Sequence, residues 1–275
     1  VARGRAGLDW PSMQILLKKI LRFFFPRPEI AVLNELRRRK LEQKSYEFSL
    51  PNGKKVKGLV PLEAYHEYKD IFIQGIYDFK ASHSKPKILD GGGYVGFSTL
   101  YFKSRYPESQ ITVFECEPKA LDLLKTNLTS NGYDDVEIVE AALAAEEGRL
   151  RFSQEGGDAG SLFLNEGPSI EVNCVKLDQW LGEEIDFLKL NIEGAEMDVL
   201  ASCGEKLKNV KEMIIEFHSF AGQDQRLQDL LSTLSKQGFR YMLNHFDYES
   251  NRAVKPPFEL NEKTTYVLLV YAKRM

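Results

Sequence analysis

Cysteine is scarce in this chain of 275 residues, and the three that occur, Cys116, Cys174 and Cys203, lie far apart. Their odd number and the lack of any C-x-x-C argue against both a disulfide framework and a zinc site. Histidine is nearly as sparse, with four residues and no H-x-x-x-H pair, so no metal centre is expected. A reducing, cytoplasmic compartment is the expectation. Charge of one sign is missing too: the formal net charge is −3, which gives no whole-chain signature of nucleic-acid binding. Repeats and low-complexity tracts are absent. The longest apolar run, Ile15 to Phe25, is broken by Lys18, Lys19 and Arg22, so it is too short to span a bilayer.

That run, closed by Pro26, reads either as a basic amphipathic helix contacting a membrane surface or as a helix packed on its own domain. Residues 1–12, rich in glycine and arginine, read as leader or added sequence, with Met13 as a candidate start. A second helix is expected over Glu29–Gln43. Together these form an N-terminal helical extension, residues 1–45. Residues 46–84 follow as a lead-in: a hairpin around Pro51-Asn52-Gly53, then a helix over roughly Glu67–Asp78. Tyr65, Tyr68 and Tyr77 there either stack on a ligand or pack in the core.

From residue 85 onward, strands and helices alternate, which implies a mostly parallel sheet. Strands are expected at Lys87–Leu89, Ile111–Phe114, Val136–Val139, Ile185–Leu190 and Lys211–Phe217. Helices are expected near Phe97–Arg105, from Pro118 to a cap at Asn131-Gly132, after Gly194, and over Gln223–Gln237. Leu150–Ser153 and Ile170–Val175 read as antiparallel strands around a glycine-rich loop, Gly156 to Gly167, with a short helix at Asp178–Leu181. Phe239–Phe246 and Thr264–Tyr271 close the chain as an antiparallel pair. The 43% hydrophobic content suffices for one such α/β domain with additions.

The most informative stretch is Ile88-Leu89-Asp90-Gly91-Gly92-Gly93-Tyr94-Val95-Gly96-Phe97. A short strand runs into an acid, a glycine-rich turn and a helix. Such a turn lets backbone approach a ligand and aims helix N–H groups at it. Nineteen residues past Gly96, the next strand ends in Glu115, at a spacing that suits the two hydroxyls of a ribose. The bland readings are an ordinary strand-to-helix turn and a solvated strand-end acid. Gly91, Gly93 and Gly96 satisfy the dinucleotide fingerprint G-x-G-x-x-G. Asp90, Gly92 and Gly96 satisfy D-x-G-x-x-x-G, the corresponding turn of S-adenosylmethionine enzymes. Asp90 favours the second, because a carboxylate repels a pyrophosphate and suits an ammonium and a sulfonium. A parallel series ending in an antiparallel hairpin points the same way.

Ligands of open α/β sheets sit beyond the carboxyl ends of the strands. That edge gathers Asp90, Glu115, Glu140-Ala141-Ala142 (with Ala142 as an adenine rest), Asn191-Ile192-Glu193-Gly194-Ala195-Glu196 and Glu216-Phe217-His218. Glu193 and Glu196 either favour a helix N-terminus, at about 0.3–1 kcal/mol each, or act catalytically. His218 is either a satisfied strand-end histidine or a base titrating near neutrality that accepts a hydroxyl proton. Asn191 is no base, but its amide can hold a hydroxyl.

These segments resemble the FkbM-type S-adenosylmethionine-dependent methyltransferases over roughly Ile76–Tyr271. The likeness rests on the Asp90 turn, Val113-Phe114-Glu115, Leu124 to Gly132, Val175-Lys176-Leu177-Asp178, the block Leu188 to Glu196, and Ile214-Ile215-Glu216-Phe217-His218. It implies a seven-stranded Rossmann-like sheet, mostly parallel with an antiparallel C-terminal strand. It implies O-methylation of a sugar, glycoconjugate or natural-product hydroxyl, and assigns Asp90, Gly92, Gly96 and Glu115 to the cofactor. Two departures stand out: Asn191 where the family usually has Asp, and Tyr94 where it usually has Asn. The first removes a carboxylate that could serve as base or metal ligand. The competing readings are an NAD(P)-dependent oxidoreductase and a non-catalytic membrane-peripheral adaptor with a degenerate methyltransferase fold. A small-molecule or glycan acceptor is the expected partner, and nucleic acid is not.

Overall fold

The computed structural model describes Val32 and residues 46–153, 169–245, 255–262 and 264–275. The two helices expected before residue 46, the loop Gly156 to Gly167 and the last residue expected in the strand ending at Phe246 lie outside the described residues. Val32 itself is helical and packs on the main core. Among the described residues, no helix is long and apolar enough to cross a membrane.

The lead-in begins with β1 (Tyr46–Ser49) and β2 (Lys55–Gly58), an antiparallel pair whose turn is made by Gly53 at φ +80°. Helix α1 (Pro61–Glu67) follows, six residues earlier than expected, because Pro61 occupies its first turn, where a missing N–H costs nothing. It continues as a π-helical stretch, Tyr68–Gln74, and stops at left-handed Gly75. Tyr68 and Tyr77 are core residues, sharing one cluster with Phe48, Phe97, Phe102 and Phe187.

The remaining elements are β3 (Lys87–Gly91), α2 (Phe97–Arg105), β4 (Gln110–Phe114), α3 (Pro118–Ser130), β5 (Glu137–Val139), β6 (Ala142–Leu143), β7 (Gly148–Ser153), β8 (Ser169–Val175), β9 (Ile185–Leu190), α4 (Glu196–Cys203), β10 (Val210–Ser219), α5 (Leu227–Lys236), β11 (Phe239–Asn244) and β12 (Tyr266–Arg274). A 3-10 turn, Leu177–Trp180, precedes β9. Seven strands form one sheet in the order β11-β12-β10-β9-β3-β4-β5. All neighbours are parallel except β12, which runs antiparallel to both β10 and β11. This is the expected Rossmann-like sheet, mostly parallel with an antiparallel C-terminal strand.

Strand alternation divides the core into two layers. Ile88, Phe187, Ile214 and Leu269 face the lead-in, α2 and α3; Leu89, Leu188, Leu190 and Ile215 face α4 and α5. Central β9 is buried along its whole length. Two asparagines one turn apart on α3 bind the hairpin to this domain. Asn127 and Asn131 accept the N–H groups of Lys57 and Lys55, both at 2.8 Å, and return amide bonds to the carbonyls of the same two residues. They act as a surrogate strand along the free edge of β2. A second sheet, β6-β8-β7, buds from the carboxyl end of β5.

Candidate active site

The glycines after β3 are demanded by the protein itself. A Cβ on Gly92 would lie 1.8 Å from the Asn191 carbonyl oxygen, and one on Gly93 would lie 2.3 Å from Val113 Cγ2. Gly92 and Gly96 adopt φ of +82° and +100°. The turn is thus wedged between β4 and the loop after β9, and ligand approach is not what excludes side chains at Gly91, Gly92 and Gly93. Its N–H groups are also committed. Gly92 and Gly93 both donate to the Phe114 carbonyl, at 3.0 and 2.9 Å, Gly96 donates to Gly93, and Tyr94 donates to Glu115. A diphosphate would find none of these four donors free.

Asp90 differs from expectation. Its carboxylate is fully buried, and Oδ2 accepts the hydroxyls of Ser98 and Thr99, each at 2.7 Å. Its Oδ1 faces the Lys189 ammonium at 3.3 Å. It is therefore enclosed by the chain's own donors rather than open to a cofactor cation. Lys189, on β9, is 2% exposed and donates to the carbonyls of Gly91 (3.2 Å) and Gly92 (2.5 Å), with the Tyr77 ring 5.5 Å away. Sequence reasoning treats it as one residue of an apolar strand. The signal is there all the same: a lone lysine in a wholly buried strand needs a partner.

Glu115 sits where the spacing places it, at the end of β4. Its carboxylate accepts three backbone N–H groups, from Tyr94 at 2.7 Å, Cys116 at 2.9 Å and Glu117 at 2.8 Å. Two fall on Oε1 and one on Oε2, which leaves Oε2 a further lone pair. Burial pushes its pKa up to about 7, against the pull of those three bonds. Tyr94 takes a left-handed φ of +45°, a conformation suited to the Asn usual there, and its hydroxyl donates to Glu63 of α1. Ala142, expected beneath an adenine, is instead in β6, its methyl packed with Val172 and Cys174.

The loop after β9 and the end of β10 bring the remaining candidates together. Glu196 reaches back to accept the N–H groups of Ile192 (3.1 Å) and Gly194 (3.0 Å), closing the turn before its own helix. The same carboxylate meets His218 Nδ1 at 3.1 Å, while Glu193 lies 3.5 Å from Nε2. Glu193 is strained, at φ +55°. Two residues down β10 on the same face, Glu216 accepts the Tyr77 hydroxyl. Burial, with Glu216 beside it, pushes that hydroxyl's pKa well up and keeps it a donor.

His218 therefore does not titrate near neutrality. Burial alone would depress its pKa, but Glu193 and Glu196, reinforced by Glu216, outweigh burial and hold it up to about 10. At pH 7 it is an imidazolium and has no lone pair for a hydroxyl proton. Asn191, beside this cluster, has a buried Oδ1 with no hydrogen-bond partner among the described residues. No group of three or more His, Cys, Asp or Glu among the described residues is arranged to hold a metal ion.

Comparison with known proteins gives a family match over residues 90–241, to the model described as the Methyltransferase FkbM domain. Methyltransferase sdnD of Sordaria araneosa is 26% identical over 210 residues, covering 62% of this chain and 81% of the relative. Methyltransferase 1 of Beauveria bassiana is 28% identical over 166 residues, covering 50% and 67%. The 2-O-methyltransferase NoeI of Sinorhizobium fredii is 29% identical over 156 residues, covering 48% and 63%. The crystal structure of Methyltransferase FkbM from Methylobacillus flagellatus superposes with a TM-score of 0.47 at 15% identity, over 77% of this chain and 51% of that one. This chain spans about half the length of that solved one.

Proposed function

The chain belongs to the FkbM methyltransferase family, and on that footing we propose that it is an S-adenosylmethionine-dependent O-methyltransferase acting on a hydroxyl of a sugar, glycoconjugate or natural product. The observation that carries the cofactor assignment is the state of the glycine turn. The N–H groups of Gly92, Gly93, Tyr94 and Gly96 are spent within the protein, and the neighbouring Glu115 keeps a lone pair on Oε2. A phosphate-free nucleoside fits that set, because Glu115 can take a ribose hydroxyl while a diphosphate would find those turn donors already taken. A relative named as a 2-O-methyltransferase supports oxygen as the acceptor atom.

Glu115 would hold the ribose, and the Gly91–Gly93 backbone would line the methionine portion. Bound there, S-adenosylmethionine supplies an electrophilic methyl group for in-line displacement by the acceptor hydroxyl. The chain's own residues do the rest by position and charge. Asn191 offers its unpartnered amide oxygen to the acceptor hydroxyl and orients it. Glu193, whose side chain is 21% exposed, takes the proton. His218 serves as an imidazolium that fixes Glu193 and Glu196 across the loop, in place of the base role its position suggested. Separate calorimetric titrations with S-adenosylmethionine and NADH test the cofactor. Mass-spectrometric detection of methyl uptake across a panel of hydroxylated acceptors tests the reaction. Tight NADH binding with no response to S-adenosylmethionine would overturn the proposal.

A further inference from the structure

We propose that Lys189 is a positioning residue that clamps the cofactor turn, and that Asp90 acts through Lys189 rather than on the cofactor. The proposal rests on the S-adenosylmethionine reading above. The turn after β3 is gripped from two sides. From β4, the Phe114 carbonyl takes the N–H groups of Gly92 and Gly93. From β9, the Lys189 ammonium takes the carbonyls of Gly91 and Gly92 and faces Asp90 Oδ1. The ammonium thus donates two hydrogen bonds to the turn and stands 3.3 Å from Asp90 Oδ1 as an ion pair, an oxygen with no hydrogen bond of its own among the described residues. Both peptide planes are thereby fixed, and with them the backbone that faces the crevice. Asp90 is left without charge to spare: its counter-ion is Lys189, and its other oxygen is filled by Ser98 and Thr99. The Tyr77 ring covers the ammonium on the side of Glu216, so the clamp also borders the His218 cluster.

A double-mutant cycle on the full chain tests this. K189M and D90N each strand a buried charge and should lower the melting temperature. D90N/K189M leaves neither charge and should recover much of that loss, which keeps a folded protein in hand. The double variant should still bind S-adenosylmethionine at least about tenfold more weakly than the parent, because the Gly92 carbonyl has lost its donor while Gly91 keeps only the Asn191 N–H. Its KM for the cofactor should rise with kcat nearly unchanged, a split that a merely destabilised fold does not produce. Without any ligand, the Gly92 and Gly93 amides of the double variant should exchange hydrogen faster than in the parent. Parent-like affinity in the double variant would overturn the clamp. Losses of the two single variants that add in the double would place Asp90 in direct contact with the cofactor and overturn its indirect role. A parent that fails to bind S-adenosylmethionine would sink the cofactor reading, and the exchange rates would still decide whether Lys189 holds the turn.

Discussion

Glu115 Oε2 accepts the Tyr94 backbone N–H at 2.7 Å, so the acid that ends β4 and the turn that follows β3 move as one unit. The same carboxylate is half-protonated near neutrality, because burial holds its pKa at about 7. Affinity for S-adenosylmethionine should therefore tighten as pH rises from 6 to 8, as the neutral acid becomes a charge-assisted acceptor. Glu115→Gln should flatten that dependence and cost about 1–3 kcal/mol of binding at pH 8. Calorimetry at three pH values decides it. Stability should move the other way. The folded pKa lies above the ordinary 4.5, so the native state binds the extra proton and loses stability as pH rises from about 4.5 to 7. Denaturant unfolding across that window reads the sign.

His218 should remain protonated well into the alkaline range. Its folded pKa of about 10 exceeds the ordinary 6.5, so its contribution to stability is complete below about 6.5 and is lost as pH rises through 10. An NMR titration of its ring protons should show no transition between pH 6 and 8, and Glu193→Gln should bring the transition down. His218→Gln leaves buried carboxylates without their cation and should destabilise by about 3–5 kcal/mol. A ring that titrates at 6.5 would return the imidazole to the role of base.

Two left-handed glycines separate backbone strain from collision. At Gly132, φ +78°, a Cβ would meet nothing within 4 Å, whereas at Gly92, φ +82°, it would meet the Asn191 carbonyl at 1.8 Å. Gly132→Ala should cost about 1 kcal/mol. Gly92→Ala should cost upward of about 4 kcal/mol or prevent folding. Urea midpoints of the two variants give the comparison, and equal costs would contradict the wedging of the turn against the loop after β9.

Asn191→Ala should lower kcat about tenfold, the worth of one hydrogen bond to the acceptor, with little change in cofactor affinity. Steady-state kinetics paired with binding measurements distinguish this from a cofactor contact, which would move affinity first.

Much of the fold is legible in the sequence because strand and helix periods alternate cleanly from residue 85. Phe97–Arg105 and Ile185–Leu190 coincide with their expected bounds, and Pro118 and Gly132 mark the ends of α3 and its cap. Local signals fail where long-range contacts decide. The position of β12 between β10 and β11 depends on pairing that no window of sequence contains. Tyr77 is assigned to the core, and not to a ligand, by its packing with Phe102 and by Glu216, far along the chain, set against its hydroxyl. The protonation of His218 depends on Glu193, Glu196 and Glu216 converging from two elements. Lys189 shows the opposite case: its burial is visible in the pattern of β9, but its two acceptors and its counter-ion belong to β3 and the turn beyond it.

Because β11 pairs with no strand but β12 among the described residues, its place in the sheet depends on residues that a ribosome joins after it. While Phe239–Asn244 is being made, the outer edge of β10 waits unpaired, its N–H and C=O groups available to any passing strand. Annealing of nascent copies along β10 is thus a hazard of synthesis, and it ends when Tyr266–Arg274 emerges and zips that gap shut.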